Sequence, residues 1–440
     1  MREMKDSGIE WIGEIPKEWE VVPIKYVKED SLNSFVDGPF GSNLKSCHYV
    51  DDGDVYVIES GFISTGKFIF KDFKTITFEH FSTIKRSECK NNDVIIAKIG
   101  ANYGMAGILP ALDKPSVVSG NSLKLTLDAY KMDNMLFVWQ MEMSKKNGGF
   151  VSVVNETTQP SLSLGILNNY RILLPSPKEQ KIIVDYLKEK LSEIDATAED
   201  IQKEIALLED YKKSVITEAV TKGLNPDAEM KDSGIKWIGE IPKDWEVHPV
   251  YVYFEEGKTK NYRMQEQNLL SLSYGRIIRK DINTNGGLLP ASFNTYNVVE
   301  AGDIIIRPTD LQNDKRSLRT GLVKEQGIIT SAYIDLRPKD NVNSKYYHYL
   351  LHSYDIIKVF YNMGNGVRQG LNFSEFAKLL LLEPTTVEQQ QIADYLDTQC
   401  SEIDTLIADK KRQLDILADY KKSLIYEYVT GKKEVPVKDF

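Results

Sequence analysis

Cysteine is scarce in this sequence, and its spacing excludes two kinds of structural framework. Among 440 residues there are three cysteines, Cys47, Cys89 and Cys400. They lie too far apart for a Cys-x-x-Cys zinc knuckle, and an odd number of distant thiols does not indicate a disulfide framework. Three ordinary thiols are therefore expected.

Long apolar runs are missing as well. No segment approaches the ~18 consecutive apolar residues that a membrane span needs, and the N-terminus has no apolar signal core. We therefore expect a cytoplasmic protein with no membrane partner. Hydrophobic residues still make up 42% of the chain. That fraction is enough for more than one core, and the length favours several domains.

An excess of positive charge is absent, which argues at first against nucleic-acid binding. The net charge is -9, whereas contact with phosphates depends on Lys and Arg. The acid is concentrated in residues 177–229, with 8 basic and 13 acidic side chains, while residues 246–372 carry 16 basic and 13 acidic ones. Residues 20–158 are nearly neutral, with 15 against 17. Charge alone therefore leaves DNA binding open.

An internal repeat is the strongest feature that the sequence does have. Residues 4–24 return as residues 230–250, with 17 of 21 positions identical. A second repeat starts at Glu179 and Gln180 and returns 209 residues later at Glu388 and Gln389. The chain is therefore two copies of one plan, in which a repeated lead-in precedes a variable body and a repeated helix.

Heptad patterns mark the two repeated helices. In the first helix the seam includes Ile194, Ile201, Leu208 and Val215, which recur every seven residues. Lys212 interrupts this seam, and Lys410 and Lys421 interrupt the second, as polar residues that fix register do. Neither Pro nor Gly occurs in residues 183–221 or 392–430. The pattern predicts a pair of long coiled-coil helices, with a helix packed on a globular core as the alternative.

The variable bodies are predicted to be rich in β-strand. Short β-branched or aromatic runs bounded by turn residues indicate strands at 55–58, 94–97, 304–306 and 333–336. Residues 131–143 and 344–363 are predicted to be helical. Two small mixed α/β domains follow from this pattern.

Catalytic motifs are incomplete wherever they can be aligned. Residues 61–67 match most of a P-loop, but Phe68 replaces the Ser or Thr that would hold magnesium, and residues 68–70 are expected to continue as a strand. Gly38 breaks a methyltransferase-like tetrapeptide at 37–40. His348 and His352 have zincin spacing, but Tyr349 stands where the catalytic glutamate belongs. We expect no catalytic or metal site in the chain.

Three groups of motifs resemble the specificity subunits of Type I restriction-modification systems, and the resemblance covers nearly the whole chain. They are GIEWIGEIP at 8–16 with Trp19, DGPFGS at 37–42 with Leu44 and Lys45, and QPSLS at 159–163 running into Leu174, Pro175, Glu179 and Gln180. In that family each variable body is a target recognition domain that reads one half of a bipartite, asymmetric DNA site. A pair of antiparallel helices separates the two domains.

The resemblance implies a mixed α/β (α+β) fold with a pseudo-two-fold internal repeat. It predicts two β-rich target recognition domains with peripheral helices, separated by two long antiparallel coiled-coil helices. The expected boundaries are 1–174 for the first recognition domain with its lead-in, 175–223 for the first spacer helix, 224–383 for the second recognition domain, and 384–440 for the second helix and tail.

Partners follow from the same resemblance. Double-stranded DNA is the expected ligand, and two DNA methyltransferase subunits and the restriction (motor) subunits are the expected protein partners. S-adenosylmethionine, ATP and Mg²⁺ are expected on those partners, so this chain is expected to hold no cofactor and to catalyse nothing by itself. The alternatives are a specificity subunit of a related fused nuclease-methyltransferase system, a single-chain enzyme, or a coiled-coil interaction protein unconnected with DNA.

Candidate base-reading residues are polar or cationic side chains in turn-rich stretches, because Arg pairs with guanine and Asn or Gln with adenine. In the first body they are Lys45, Lys98, Asn102, Tyr103, Asn121, Asn155 and Gln159. In the second body they are Tyr274, Arg276, Arg279, Arg307, Arg316, Arg319, Arg368 and Gln369. A solvated surface role is the alternative for each.

Overall fold

The chain divides into two compact units. The computed structural model describes residues 2–63, 66–154, 160–282, 292–309, 311, 318–363 and 370–436. Unit 1 contains Met1–Asp200 and Leu414–Phe440, and unit 2 contains Ile201–Gln413. The domain boundaries given by the sequence stay a prediction.

Unit 1 begins with the first lead-in and continues into the first variable body. In chain order its elements are β1 (Met4–Asp6), β2 (Glu14–Pro16), β3 (Glu20–Pro23), α1 (Ile24–Val27), β4 (Phe35–Asp37), β5 (Val55–Ile58), β6 (Lys74–Ile76), α2 (Phe78–Thr83), β7 (Glu88–Cys89), β8 (Val94–Ala97), β9 (Ala106–Ile108), β10 (Ser116–Val118), β11 (Ser122–Leu125), α3 (Asn134–Lys146), α4 (Leu164–Asn169) and β12 (Arg171–Leu174). The long helix α5 (Pro177–Lys222) starts here.

Unit 2 repeats this order with a different body. Its elements are β13 (Met230–Asp232), β14 (Glu240–Pro242), β15 (Glu246–Pro249), α6 (Val250–Tyr253), β16 (Phe254–Glu256), β17 (Leu270–Ser273), β18 (Arg276–Arg279), β19 (Asn297–Val299), β20 (Ile304–Ile306), β21 (Thr320–Leu322), β22 (Gly327–Ile329), β23 (Ile334–Pro338), α7 (Ser344–Ile356), α8 (Phe373–Phe376) and β24 (Leu380–Glu383). The second long helix is α9 (Thr386–Val429).

The central sheets of the two units have the same strand order. In unit 1 the order is β4-β11-β8-β9, and in unit 2 it is β16-β23-β20-β21. All neighbouring strands in both sheets are antiparallel. Unit 1 also has a mixed sheet of order β6-β5-β10-β7, in which β5 and β10 run parallel. The mixed α/β class expected from the sequence is confirmed.

Each central sheet packs on a helix of 13 residues, α3 in unit 1 and α7 in unit 2. The core of unit 1 gathers sheet residues such as Ile96 and Leu123 with Phe137 of α3, all fully buried. The core of unit 2 combines Ile304 with Tyr346 and Leu350 of α7 in the same way. The α3 helix begins at a strong N-cap, because the Asp133 carboxylate accepts from two backbone N–H groups. Burying such side chains supplies most of the driving force for folding.

Strand predictions are confirmed most closely where β-branched residues run together. β5, β8 and β20 begin and end at the predicted residues. The expected helix at 344–363 is wrong beyond Ile356, because Lys358 adopts a left-handed φ of 64° that breaks the hydrogen-bond ladder. The expected strand at 68–70 is also wrong: Phe68 stacks on Phe62 at 5.5 Å instead of joining a sheet.

The long helices contact each other within each unit. In unit 2, Lys212 pairs with Asp404 at 2.7 Å and Lys410 pairs with Glu204 at 2.5 Å, so the two segments run in opposite directions. The seam positions of α5 are buried or half-buried at Leu191, Ile194, Ala198, Ile201, Ile205, Leu208, Lys212, Val215 and Ala219. Among the described residues, no helix has both the length and the apolar character to cross a membrane.

Candidate nucleic-acid interface

Several sequence-predicted residues of unit 1 meet at one end of the central sheet. Ala97, the last residue of β8, pairs with Ser122, the first residue of β11, and β4 ends at Asp37 beside them. Three loops leave the sheet here, at residues 38–41, 98–103 and 119–121. We call these loops the first rim. It contains the predicted residues Lys98, Asn102, Tyr103 and Asn121.

Close backbone packing fixes the shape of the first rim. A Cβ placed on Gly38 would lie 1.9 Å from the carbonyl oxygen of Ser119, so no side chain fits at that position. The backbone N–H of Lys98 donates to the carbonyl of Asn121 at 2.9 Å. The 37–42 motif therefore contains glycine because its loop lies directly against the neighbouring loop of the rim.

A buried cation supports an exposed aromatic ring on the first rim. Lys98 Nζ lies 3.4 Å from Asp37 Oδ2 and 4.4 Å from the centre of the Phe40 ring. Arg86, which was not among the site residues predicted from the sequence, donates to the other carboxylate oxygen of Asp37 at 2.9 Å. The Phe40 side chain is 58% exposed, so it does not belong to the core. Lys98 therefore orients the rim while Phe40 faces solvent.

The other predicted residues of the first body differ in exposure. Lys45, Asn102 and Asn121 are exposed, and Asn121 lines a groove together with Ser60 and Ser119. Tyr103 is half-buried, with Lys145 Nζ 3.2 Å from the centre of its ring. Partial burial lowers the pKa of Lys145. The groove presents hydroxyl and amide groups, which are the hydrogen-bonding groups that base edges require.

The equivalent end of the unit 2 sheet carries predicted arginines. Ile306 of β20 pairs with Thr320 of β21, and the backbone of Arg307 donates to the carbonyl of Arg319 at 2.9 Å. The described loops at this end, residues 257–260, 307–309 and 318–319, form the second rim. Arg307 and Arg319 therefore lie together, at the position that corresponds to the first rim.

The Arg319 guanidinium points into the protein. The residue is fully buried, and Nη1 donates to the carbonyl of Thr309 at 2.6 Å. Its backbone N–H donates to the Asp355 carboxylate. Because buried donors need such acceptors, Arg319 shapes the loop. A base contact by this side chain would require the loop contacts to break.

A β-hairpin, β17–β18, carries three further predicted residues of unit 2. Tyr274 at its tip is 81% exposed and has a positive φ of 45°. Arg276 Nη2 contacts Asp404 at 2.9 Å, and Arg279 Nε donates to Glu325 at 2.5 Å. The second contact raises the pKa of Arg279 and lowers that of Glu325. The Tyr274 side chain is therefore more accessible to a ligand than the Arg276 and Arg279 side chains, which already contact carboxylates.

Five predicted residues lie outside the described part of the chain. They are Asn155, Gln159, Arg316, Arg368 and Gln369. The described ends of their segments lie at the rims: Gly100 donates to Pro160 at 3.3 Å, and Leu371 donates to Pro308 at 3.0 Å. Their role in DNA recognition stays a prediction.

Three side chains of unit 2 have the spacing of metal ligands. In the described residues, Glu246, His248 and Glu383 bring one ligand atom each within 4.8 Å of one another. His248 already contacts Glu246 at 2.9 Å and Glu383 at 3.4 Å. His348 and His352 are not part of that group. Burial lowers the pKa of His348 to about 3 and that of His352 to about 4, so both are neutral at pH 7.

The repeated motifs join each lead-in to a long helix. Trp19 Nε1 donates to Glu179 at 2.9 Å, and Trp245 Nε1 donates to Glu388 at 3.0 Å. These residues belong to the identical parts of the two repeats. The motifs that carried the family resemblance therefore include the contacts that attach the lead-in strands to the first turn of each helix.

Comparison with known proteins identifies the family. A family model for the Type I restriction modification DNA specificity domain matches residues 16–207 and 257–415. The chain therefore belongs to this family, and the membership predicted from its motifs is confirmed.

Relatives match the chain over almost its full length. The Type I restriction enzyme MjaVIII specificity subunit of Methanocaldococcus jannaschii is 25% identical over 96% of this chain and 94% of its own. The putative type I restriction enzyme MjaX specificity subunit of the same organism is 24% identical, over 96% of both chains.

Two solved structures share the fold. One is a chain from a study of complex assembly and conformational transition of the type I R-M system, with a TM-score of 0.65, 14% identity and coverage of 95% of this chain and 99% of that one. The other is the HsdS subunit from Thermoanaerobacter tengcongensis, with a TM-score of 0.53, 14% identity and coverage of 95% and 98%.

Proposed function

We propose that this chain reads a bipartite DNA site, using the first rim for one half-site and the second rim with the β17–β18 hairpin for the other. The observation that carries the proposal is the equivalence of the two rims: exposed or polar loops leave the same end of two sheets with the same strand order. The contact residues themselves differ, for example Asn121 on the first rim and Tyr274 on the β17–β18 hairpin of unit 2. Similar scaffolds with different contact residues suit two half-sites of different sequence.

The long helices α5 and α9 hold the two recognition domains apart in this proposal. They form an antiparallel coiled coil whose seam lysines fix the register. Helix α5 has 46 residues, which corresponds to a length of about 69 Å at ~1.5 Å per residue. The helical segment is acidic and is not expected to contact phosphate. It faces the partner subunits or the unread bases between the half-sites.

Two repeated apolar patches are suited to two methyltransferase subunits. Leu207 and Tyr211 of α5 are 68% and 55% exposed, and Ile416 and Tyr420 of α9 are 60% and 52% exposed. The two pairs lie 209 residues apart, so each helix carries one copy. Exposed aromatic residues are typical anchors of protein interfaces. Restriction subunits join the resulting complex.

The chain contributes recognition and not chemistry. The P-loop, methyltransferase and zincin motifs each lack a residue that their chemistry requires. S-adenosylmethionine therefore binds the methyltransferase subunits, and ATP with Mg²⁺ binds the restriction subunits. Methyl transfer needs a base outside the duplex stack, so its pocket can belong to a separate subunit.

The test is methylation mapping with the cognate methyltransferase subunits. We expect methylated adenines in one asymmetric bipartite motif. Asn121→Ala should relax the bases of one half-site and Tyr274→Asn those of the other, each by roughly 5-fold to 150-fold for a lost base contact worth about 1–3 kcal/mol. Asn is chosen at Tyr274 because it tolerates the positive φ.

The matched control is Tyr130→Ala. Tyr130 is 91% exposed and follows β11 at the end of the sheet opposite the first rim. It should leave the motif unchanged. If Asn121→Ala and Tyr274→Asn also leave every base unchanged, or if both change the same half-site, the assignment of one half-site to the first rim and the other to the second rim with its hairpin is wrong.

A further inference from the structure

A single aspartate on α9 links the paired segments of α5 and α9 in unit 2 to the recognition domain of that unit. Asp404 Oδ1 accepts from Lys212 Nζ of α5 at 2.7 Å. Its other oxygen, Oδ2, accepts from Arg276 Nη2 of the β17–β18 hairpin at 2.9 Å. The two oxygens of one carboxylate therefore contact a seam lysine on one side and a recognition-domain cation on the other.

The same arrangement occurs in unit 1 with different surroundings. Asp195 Oδ1 of α5 accepts from Lys421 of α9. Asp195 Oδ2 accepts from Lys67 of the first variable body at 3.1 Å. Partial burial acts to raise the pKa of Asp195, but the hydrogen bonds from Lys421 and Lys67 outweigh it and lower that pKa.

All three members of this group are related by the internal repeat. Asp195 and Asp404 lie 209 residues apart, as do Lys212 and Lys421, and so do Lys67 and Arg276. The last pair is unexpected because it lies in the variable bodies, where the local structures differ. A glycine with a φ of 77° precedes the cation in both bodies, Gly66 in one and Gly275 in the other.

We propose that Asp195 and Asp404 are positioning residues that hold each recognition domain at a fixed orientation on the helix pair. We call each group of one aspartate and two cations an aspartate clamp. The inference rests on the proposed function, because the clamp would fix how each rim is presented to DNA. It gives Arg276 a docking role in place of the predicted base reading, and it gives Lys67 the same docking role.

The seam lysine distinguishes each aspartate clamp from an ordinary ion pair on the protein surface. Exposed ion pairs contribute little because solvent screens them, and Arg276 and Lys67 are 70% and 72% exposed. Lys212 and Lys421 are only 23% and 26% exposed. They occupy heptad positions that would otherwise be apolar, so each needs an acceptor and orients its aspartate. The second carboxylate oxygen is then directed toward the recognition domain.

Gly66 and Gly275 allow the turn that places the cation of each recognition domain beside its aspartate. A φ of 77° favours glycine, since an L side chain is strained there. At Gly275 an added Cβ would also lie 3.1 Å from Leu318. The turn therefore brings Arg276 close to α9 while the hairpin packs on the domain core. A loosened clamp should widen the range of half-site spacings that the complex accepts, without changing the bases read.

The experiment uses the full chain with its methyltransferase subunits on synthetic duplexes. The two half-sites are placed at the native gap and at gaps one base pair longer or shorter. For Asp404→Asn and Arg276→Met we expect the rate on altered gaps, relative to the native gap, to rise about twofold to fivefold, as for loss of one ion pair. Asp195→Asn and Lys67→Met should do the same. Asp404→Glu should restore the native preference.

The matched control is Asp409→Asn, which removes an i,i+3 pair with Arg412 on the same helix. It should not change gap preference. If Asp404→Asn fails to fold, Arg276→Met and Lys67→Met still test the proposal, because these side chains are 70% and 72% exposed. The proposal is overturned if gap preference stays native, if Asp409→Asn has the same effect, or if Arg276→Met changes a recognised base. Failure of the unaltered chain to direct methylation to any bipartite site would instead overturn the proposed function.

Discussion

The indole nitrogen of Trp19 donates a hydrogen bond to Glu179 Oε2 at 2.9 Å. Arg2 Nη1 also contacts the Glu179 carboxylate at 2.5 Å. In the second half the equivalent tryptophan, Trp245, donates to Glu388, but position 228, which corresponds to Arg2, is alanine. The same tryptophan–glutamate hydrogen bond therefore attaches each lead-in to its long helix, and in the first half Arg2 adds a second contact to the glutamate.

Replacing either tryptophan should therefore destabilise the two units unequally. Trp245→Phe leaves the Glu388 carboxylate without its indole donor and should cost about 1.5–3 kcal/mol, the range for a lost hydrogen bond to a charged group. Trp19→Phe should cost less at Glu179, because Arg2 still pairs with that residue. Thermal unfolding of both variants and of Arg2→Ala with Trp19→Phe measures the difference. Equal losses in the two single variants would contradict this role for Arg2.

A fragment of residues 1–229 should form a two-fold dimer. In unit 1 the segment of α9 buries Leu424, Ile425, Tyr428 and Val429 in the core. The fragment lacks these residues but carries Val215, Ile216, Ala219 and Val220 at the equivalent positions of α5. A second copy can therefore cover the exposed core, with Lys212 of one copy against Asp195 of the other.

Sedimentation and methylation mapping test the dimer. The fragment should sediment as a dimer and, with methyltransferase subunits, direct methylation to a palindrome of the first half-site. Lys212→Glu should weaken the dimer, and adding Asp195→Lys should restore it. A monomeric fragment, or an asymmetric target, would exclude this arrangement.

Lengthening both helices at facing positions should lengthen the unread gap. Duplicating residues 194–200 after Asp200 and residues 407–413 after Gln413 adds one heptad to each helix and keeps the pairs of Asp195 and Asp404 with their seam lysines. Seven residues add ~10.5 Å, close to three base pairs at ~3.4 Å each. Methylation mapping should find both half-sites unchanged and the gap about three base pairs longer.

The control lengthens α5 alone. That change shifts one helix by a heptad against the other and should abolish methylation. An unchanged gap in an active double insertion would show that the helices do not set the spacing.

Two partly buried histidines should make the protein less stable in acid. Burial lowers the pKa of His348 to about 3 and that of His352 to about 4, whereas an unfolded histidine has a pKa near 6.5. Below about pH 6.5 the unfolded chain takes up protons that the folded chain excludes, so the stability present above that pH is lost as the pH falls toward about 4. At about pH 5 each histidine should cost about 2 kcal/mol.

Unfolding midpoints at pH 7.5 and 5.0 measure this loss. His348→Gln combined with His352→Gln should reduce the difference between the two midpoints, even if both midpoints fall. His248→Gln is the control, because His248 is partly exposed and pairs with Glu246. A difference as large in the double variant as in the unaltered chain would refute the assignment.

Each repeated apolar patch should bind one methyltransferase subunit. Tyr211→Ala or Tyr420→Ala alone should reduce the complex to one subunit, and both together should remove both, since an interface anchor contributes about 2 kcal/mol or more. Native mass spectrometry counts the subunits. Tyr262→Ala, at a residue that is 79% exposed outside the patches, should leave two subunits bound. Full occupancy of the double variant would place the docking surface elsewhere.

The sequence predicted features that depend on local patterns. Runs such as residues 94–97 and 304–306 have both the β-branched content and the turn residues that define a strand, so β8 and β20 match the prediction. Heptads over many turns predicted α5 and α9 in the same way. The motifs also singled out Trp19 and Glu179, although not the hydrogen bond between them.

Features that depend on distant residues could not be predicted. Arg86 contacts Asp37 across 49 residues and Lys67 contacts Asp195 across 128, and no local pattern marks either pair. The burial of Arg319 depends on carbonyl groups that only the folded loop brings together. The end of α7 coincides with the left-handed backbone conformation of Lys358, which no local residue pattern marks. Residue type alone does not distinguish such arginines from base-reading ones.

The identical lead-ins have a consequence for inheritance. Because 17 of 21 residues agree between the two copies, a gene segment that encodes one body could be exchanged for another between matching flanks. The new body would meet the same tryptophan, the same glutamate and the same aspartate as the old one. Recombination at those flanks would then create a host with a new methylation pattern in a single event, while the genes for the enzymatic subunits stay unaltered.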